Sequence, residues 1–259
     1  MKKLPNINNL YPLFVLAGLL FVWHLITATG LVPGFMLPSP FDVLKAFGDS
    51  FSELMHHAKV SLTEAFTGLT LSIILALVIA LIMDHFEGVY KAFHPILVIS
   101  QTIPTVAIAP LLVLWLGYDM APKITLVVLT CFFPITIALL GGFKNSDSDA
   151  INLMRAMGAS KWQIYRYIKL PNALPGFFSG LKISVSYAIV GAVIAEWLGG
   201  NSGLGVYMTR VRKSYAFDKM FAVIYLIAIL SLLLIKAVEL IERKTMPWIY
   251  GLREGEKQE

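Results

Sequence analysis

This sequence predicts an all-α integral membrane protein with six transmembrane helices and a folded cytoplasmic loop between the fourth and the fifth. Three observations carry the prediction. Hydrophobic residues make up 57% of the 259 positions and charged residues 14%, where a soluble domain carries about 25% charged residues. The apolar residues gather into six runs, each long enough to cross a hydrocarbon core, which takes about 20 residues as a helix. Lysine and arginine are divided unequally between alternate connecting segments, the bias that orients membrane helices.

The first run covers residues 10–29 and follows Met1-Lys2-Lys3. It is longer than the roughly 7–15-residue apolar region of a signal peptide, so it reads as an uncleaved first span. The next segment opens "LVPGFMLPSP", whose prolines and glycine keep it out of a helix. Phe41, Leu44, Phe47, Phe51 and Leu54 then recur at three- and four-residue spacing, which predicts an amphipathic helix on the outer membrane face or against other spans. The second span covers residues 60–83 and the third residues 95–116. The third contains Pro95, Pro104 and Pro110, with Gln101, Thr102 and Thr105 beside the central proline. Proline frees backbone carbonyls that a membrane cannot solvate, so this span reads as a kinked helix sealed by its neighbours or lining a solute path. The fourth, fifth and sixth spans cover residues 124–142, 177–198 and 220–241.

An even number of spans leaves both termini on one side. Twelve Lys and Arg lie in the segments on that side and seven in those on the other, which places both termini in the cytoplasm. Arg210, Arg212 and Lys213 run against this trend. Charges within the spans are functional suspects by default. Glu64, Lys182, Glu196, Lys236 and Glu239 lie near span ends, where long side chains reach the interface. Glu196 stands out because it adjoins the external "GGNSGLG" loop. Ser184, Ser186 and Tyr187 of the fifth span are candidates to face a path together with Gln101, Thr102, Pro104 and Thr105.

Other chemistries find no support. A clustered basic face for nucleic acid is missing, as are a phosphate-binding GxxxxGK[ST] loop, a nucleophile–base set and metal-ligand spacing. The adjacent His56 and His57 read as surface residues, and the lone Cys131 as a small buried hydrophobe. A membrane-embedded enzyme would need a catalytic constellation near a span end, and a self-sufficient secondary transporter would show inverted repeats and a midplane ionic site. Neither pattern is visible in the sequence.

The polar stretch before the fifth span, "MGASKWQIYRYIKLPNALP" from Met157 to Pro175, is built from helix punctuation. Asp147 and Asp149 suit a helix start; Gly158 suits a left-handed helix end. Ser160 stands three residues before Gln163, a capping-box spacing. Pro171 is expected to stop the second helix. The segment therefore reads as helix, glycine turn, helix and proline stop, with an apolar side, a basic rim and two candidate contacts: a rest on anionic lipid, or a protein partner that receives the apolar side.

The spacing within this stretch resembles the cytoplasmic signature EAA-x3-G-x9-I-x-L-P of permease subunits of ATP-binding-cassette importers. Gly158, Ile168, Leu170 and Pro171 match at the required spacing, and Asn152-Leu153-Met154 stands where the signature has Glu-Ala-Ala. "LPSP" at 37–40, "QTIPTVAIAPLLVLWLG" at 101–117 and "SGLG" at 202–205 are similar to the sulfonate, taurine, nitrate and thiamine-precursor branch of that family. The resemblance implies the type I importer permease fold, with residues 60–242 as the permease core, 1–59 as an N-terminal span and external segment, and 243–259 as a cytoplasmic tail. It implies a bacterial inner-membrane location and a homodimer of this subunit. It also implies two cytoplasmic ATPase subunits that use ATP and Mg, an external solute-binding protein, and no cofactor bound by this chain. The helices around Gly158 would be the coupling element. Asn152, Leu153, Met154, Ala156, Gly158, Ala159, Ser160, Ile168, Leu170 and Pro171 would dock on the ATPase, gripping by the apolar side and the glycine turn in place of a carboxylate.

Overall fold

The computed structural model describes residues 11–249, and every long regular element among them is a helix. In chain order these are α1 (Tyr11–Ala28), α2 (Pro40–Asp49), α3 (Phe51–His85), α4 (Glu87–Ser100), α5 (Thr105–Leu116) and α6 (Met120–Lys144). They continue with α7 (Ser148–Ala156), α8 (Lys161–Ile164), a π-helical turn (Tyr165–Lys169), α9 (Leu170–Leu198), α10 (Leu204–Lys213) and α11 (Phe217–Thr245). Five of them are long and apolar enough to cross a membrane alone, and α4 with α5 makes a sixth crossing as a bent pair.

The core is formed by α3, α6 and α9. Small residues let α6 and α9 approach closely, as membrane helices do when packing rather than hydrophobicity joins them. A Cβ on Gly142 would stand 2.6 Å from Ala173 Cα, one on Gly176 2.6 Å from the Ala138 carbonyl oxygen, and one on Gly180 2.9 Å from the Pro134 carbonyl oxygen. Farther along the same seam Ser184 Oγ donates to the Cys131 carbonyl at 2.9 Å, and Cys131 Sγ donates back to the Ser184 carbonyl at 3.2 Å. Cys131 is buried, as its sequence context implies. The first span is peripheral. No residue of α1 is buried, and it is held by Trp23, whose ring stacks on Phe221 and Tyr225 of α11 and whose Nε1 donates to the Pro38 carbonyl at 3.1 Å.

Three sequence expectations need correction. The external amphipathic stripe is not one helix: the chain breaks at Ser50, so Phe41, Leu44 and Phe47 belong to α2 while Phe51 and Leu54 begin α3. A capping box between Ser39 and Asp42 fixes the start of α2, and the hydrogen bonds from Ser39 hold the Asp42 carboxyl below its ordinary pKa. The three-proline span is more than kinked. It is two helices meeting at 100°, because Pro104 has no N–H to continue the ladder and drives the preceding residue out of helical conformation. Thr102 Oγ1 donates to the Ile99 carbonyl at 2.7 Å and Ser100 Oγ to the Leu97 carbonyl at 2.8 Å, so hydroxyls serve carbonyls at the break.

The third correction concerns Pro171, which does not stop the second helix of the polar stretch. The chain runs from Lys161 to Leu198 as one continuous helical rod. The π turn makes this possible. The Leu170 N–H donates to the Tyr165 carbonyl, five residues back, and the widened turn relieves the clash that a proline ring makes in a regular α-helix.

The α6–α9 seam makes a direct prediction. Gly176→Ala places a methyl against a backbone oxygen and lowers stability by about 1–3 kcal/mol. Gly141→Ala, where nothing lies within 4 Å, is neutral or stabilising by up to about 1 kcal/mol through helix propensity. Thermal unfolding of the two variants in detergent separates the outcomes, and equal melting temperatures would refute close packing at this seam.

Candidate functional site

The hairpin of α7 and α8 is assembled from local capping. Asp147 Oδ1 accepts from the Asp149 and Ala150 amides and starts α7. At its far end Gly158 has φ +79°, a left-handed conformation that disfavours a side chain. The Gly158 amide donates to the Arg155 carbonyl and the Ala159 amide to the Met154 carbonyl, both at 3.0 Å. This is the paired closure of a Schellman end. Ser160 and Gln163 form the reciprocal capping box that starts α8. The tip exposes Leu153, Met157 and Trp162, a strongly apolar surface for a loop held this firmly.

At the opposite end of the bundle lies a buried polar cluster that joins four helices. The amides of Gly203, Leu204 and Gly205 open α10, and at a helix start such donors have no partner within the helix. His57 Nδ1 accepts from Gly203 at 3.0 Å, Ser61 Oγ from Leu204 at 2.8 Å, and Glu196 Oε2 from Gly205 at 2.6 Å. Ser61 Oγ also donates to Glu196 Oε1 at 2.6 Å. Acceptance at Nδ1 fixes the His57 tautomer with its proton on Nε2. Beside this cluster Lys123 Nζ of α6 bonds Glu64 Oε1 of α3 at 2.8 Å, with side-chain exposures of 6% and 0%. Glu64 Oε2 and Tyr207 Oη are buried without a protein partner. The glycines of "SGLG" are required by contact: a Cβ on Gly203 would lie 2.2 Å from the Glu196 carboxyl carbon, and one on Gly205 2.3 Å from the Val193 carbonyl oxygen.

Between these ends, the 100° break faces a cavity of about 470 Å³. Its lining includes Ser100, Gln101, Pro104 and Thr105 from the break, Thr130 and Phe133 from α6, and Tyr187 from α9. The walls are mostly apolar, with hydroxyls and one amide as polar points.

Comparison with known proteins decides the identity of this architecture. Residues 68–247 match the family described as binding-protein-dependent transport system inner membrane component. The chain belongs to this family. It is therefore a transport permease, a membrane-spanning subunit of an ATP-binding-cassette system. It is 38% identical to a probable ABC transporter permease protein of Haemophilus influenzae over 234 residues, covering 90% of this chain and 96% of that one. It is 36% identical to the formylaminopyrimidine transport permease protein ThiX of Halalkalibacterium halodurans over 249 residues, covering 96% of this chain and 98% of the relative. In fold it is similar to a chain of a bacterial ABC transporter involved in alginate import, with a TM-score of 0.64, 18% identity, and coverage of 92% and 97%.

The permease places the residues singled out in its sequence in separate parts of the bundle. Gln101, Pro104, Thr105 and Tyr187 meet at the cavity. Thr102 sits in the break and bonds backward to Ile99. Ser184 is fully buried in the α6–α9 seam, and Ser186 Oγ bonds the Lys182 carbonyl. Glu196 belongs to the cluster at the start of α10, 2% exposed. Of the residues expected to dock on the ATPase, Asn152, Leu153, Ala156, Gly158 and Ser160 are exposed on the hairpin, and Met154 and Ala159 are half-buried there. Ile168 lies in the π turn, and Leu170 and Pro171 begin α9, all half-buried below the tip.

Two expectations about charge and histidine are overturned. His57 is buried, because its ring packs on Tyr207 at 5.2 Å and its nitrogen serves Gly203; only His56 is a surface residue. Glu64 and Glu196 do not reach the interface. With α3 beginning at Phe51, Glu64 lies deep in the helix and is neutralised by Lys123. Lys182 is likewise paired, with Glu242 of α11 at 2.7 Å. Sequence reasoning missed Lys123, Ser61 and His57. The available signal was α10 itself, a helix that opens on two glycines where a capping side chain is expected.

Breaking the buried pair has a defined cost. Lys123→Met leaves Glu64 as an uncompensated buried charge and destabilises the permease by about 3–5 kcal/mol, whereas Lys123→Met combined with Glu64→Leu recovers most of that loss. Unfolding midpoints of the two variants in detergent test this; a double variant no more stable than Lys123→Met would sink the pairing.

Proposed function

We propose that two copies of this permease, with two cytoplasmic ATPase subunits and an external solute-binding protein, form an ATP-driven importer of the bacterial inner membrane. Both chain termini and the hairpin face the cytoplasm in this reading, as the Lys and Arg distribution favours. The chain binds no cofactor of its own; ATP and Mg are used by the ATPase subunits, and this chain supplies the solute path by alternating access. One observation carries the reading. The exposed apolar hairpin is continuous, through the π turn, with α9 at the centre of the bundle. A shift imposed on the hairpin by a nucleotide-driven partner is thereby transmitted to a core helix as a rigid-body movement. Asn152 stands where the family signature has glutamate, so the grip on the ATPase rests on Leu153, Met154, Met157 and the Gly158 turn.

The solute class that fits best is a small heteroaromatic, with formylaminopyrimidine as the first candidate. The relative named for that solute matches along 98% of its length. The cavity adds chemical support. Its described lining offers Gln101, Thr105, Thr130 and Tyr187 to ring-edge donors and acceptors, and no Lys or Arg to neutralise a sulfonate, taurine or nitrate.

Proteoliposomes containing the permease, its ATPase subunit and its binding protein are expected to accumulate formylaminopyrimidine only when ATP and Mg are supplied. Uptake by the permease alone, driven by an ion gradient, would overturn the importer reading. Competition by taurine or nitrate but not by the pyrimidine would overturn the solute assignment alone. In the same vesicles Gly158→Val forces a β-branched residue into left-handed conformation, at about 1–2 kcal/mol. It is expected to abolish uptake while ATP hydrolysis continues, and unchanged coupled uptake would exclude a coupling role for this turn.

A further inference from the structure

Asp84 lies at the inner end of α3, one residue before the helix ends. Its Oδ2 accepts from Tyr165 Oη and from Lys169 Nζ, the latter at 2.6 Å. Tyr165 and Lys169 are the first and last residues of the π turn. One carboxylate therefore holds both ends of the one irregular segment between the hairpin and α9. The cluster is sheltered: the Asp84 and Lys169 side chains are 8% and 20% exposed, the Tyr165 ring stands edge-on to Phe143 of α6 at 6.1 Å, and Lys169 Nζ lies 4.9 Å over the Tyr165 ring. Among the described residues these are the only hydrogen bonds between α3 and residues 147–169.

We propose that Asp84 is a positioning residue of the transport cycle, which passes movement of the cytoplasmic hairpin to α3 through Tyr165 and Lys169. The proposal rests on the reading that the hairpin docks on an ATPase subunit. Its physical basis is a difference in stiffness. A π turn is a strained interruption in an α-helix and a place where a helix yields. Left to itself, it would absorb part of any displacement of α8 before α9 moved, and α3 would receive none by hydrogen bonding. A sheltered ionic contact that spans the turn makes the turn and α3 one body, and such a contact is much stronger than an exposed surface pair. What α3 receives at Asp84 it carries outward along a helix of 35 residues, about 50 Å long. At the far end the same helix presents His57, Ser61 and Glu64 to the outer cluster.

The test uses nucleotide as its probe and requires no knowledge of the solute. The one native cysteine among the described residues, Cys131, is buried, so an introduced cysteine can be labelled selectively. A fluorophore is placed at Phe86→Cys, just beyond α3, or at Asp149→Cys on the hairpin; both sites are exposed. The complex with its ATPase subunit is reconstituted in vesicles, and Mg-ATP with vanadate is added. Both probes are expected to respond in the otherwise native permease. With Asp84→Asn the hairpin probe keeps its response, and the Phe86 probe loses at least about fivefold of its amplitude, the lower end of ordinary coupling between sites. Asp84→Glu restores it. Tyr165→Phe with Lys169→Met removes the same bonds from the other partner and is expected to silence the Phe86 probe equally, which decides the matter if Asp84→Asn fails to assemble.

A Phe86 response that survives in both sets of variants overturns the role of Asp84. So does a parallel loss at both probes with a lowered melting temperature, the signature of a merely structural contact. Silence of the hairpin probe in the native permease would instead overturn the docking reading beneath the proposal.

Discussion

The outer half of this permease depends on how the first amides of α10 are satisfied. A helix start leaves donors without intrahelical partners, and burying them unpaired costs about 1–3 kcal/mol each. No side chain at the start of α10 does this work. His57 and Ser61 of α3 and Glu196 of α9 do it instead. Three helices distant in sequence are thereby fixed to one another in rotation as well as in distance, since each acceptor must point at its own amide. The two glycines of "SGLG" follow as a steric necessity, because the Glu196 carboxyl occupies the space that a Cβ at Gly203 would need. Tyr207, one turn into α10, closes the cluster by packing on the His57 ring.

Placing carboxylates and an ammonium inside a membrane protein is expensive, and such a cluster is weak grounds for stability in itself. Its physical merit is specificity. Leucine and alanine seams tolerate small rotations and slides of one helix against another. Hydrogen bonds of 2.6 to 2.8 Å between Ser61, Glu196, Gly205, Lys123 and Glu64 do not. The inner half is built differently. The hairpin is firm within itself, since both of its helix ends are capped, yet it joins the bundle through a π turn and the contact at Asp84. The bundle thus has one end registered by hydrogen bonds among several helices and another joined to α3 at a single carboxylate.

The sequence made local chemistry legible and left distant chemistry hidden. The spans follow from apolar runs, because a 20-residue hydrophobic helix needs no partner to be recognised. The hairpin follows from Asp147, Gly158, Ser160 and Gln163, because each cap is closed within a few residues. Pro171 misled because its usual effect was countered by a π turn, and nothing local in "YRYIK" marks one. The Glu64–Lys123 pair was invisible for a related reason. Its members are 59 residues apart, and each alone resembles a charge near a span end. Histidine 57 reads as surface until Gly203 supplies the donor that makes its burial tolerable. The cavity was partly legible, since three prolines and neighbouring amide and hydroxyl groups mark the break, while Thr130 and Phe133 came to it through the packing of α6.

Helix α3 connects these halves. Its outer part is bound to α6, α9 and α10 by side chains spaced along one face, and Asp84 at its inner end is bound to the turn that carries the hairpin. Its middle packs closely through small residues: Ala65, Gly68, Ser72, Ala76 and Ala80 are buried along one stripe, and the side-chain hydrogen bond from there to α6, Ser72 Oγ to the Val128 carbonyl, is long at 3.4 Å. A helix held by several hydrogen bonds at one end and by a single carboxylate at the other is suited to pivot about the first when the second is moved. The cavity at the broken span lies beside α6 and α9, between those two ends of the bundle. In the importer cycle proposed above, tilting of α3 and α9 from the hairpin end would change the width of that cavity on the hairpin side before it disturbed the cluster at α10. The many-bonded cluster at α10 and the single carboxylate joint at Asp84 therefore suit two parts of one motion: an end to turn about, and an end to which force is applied.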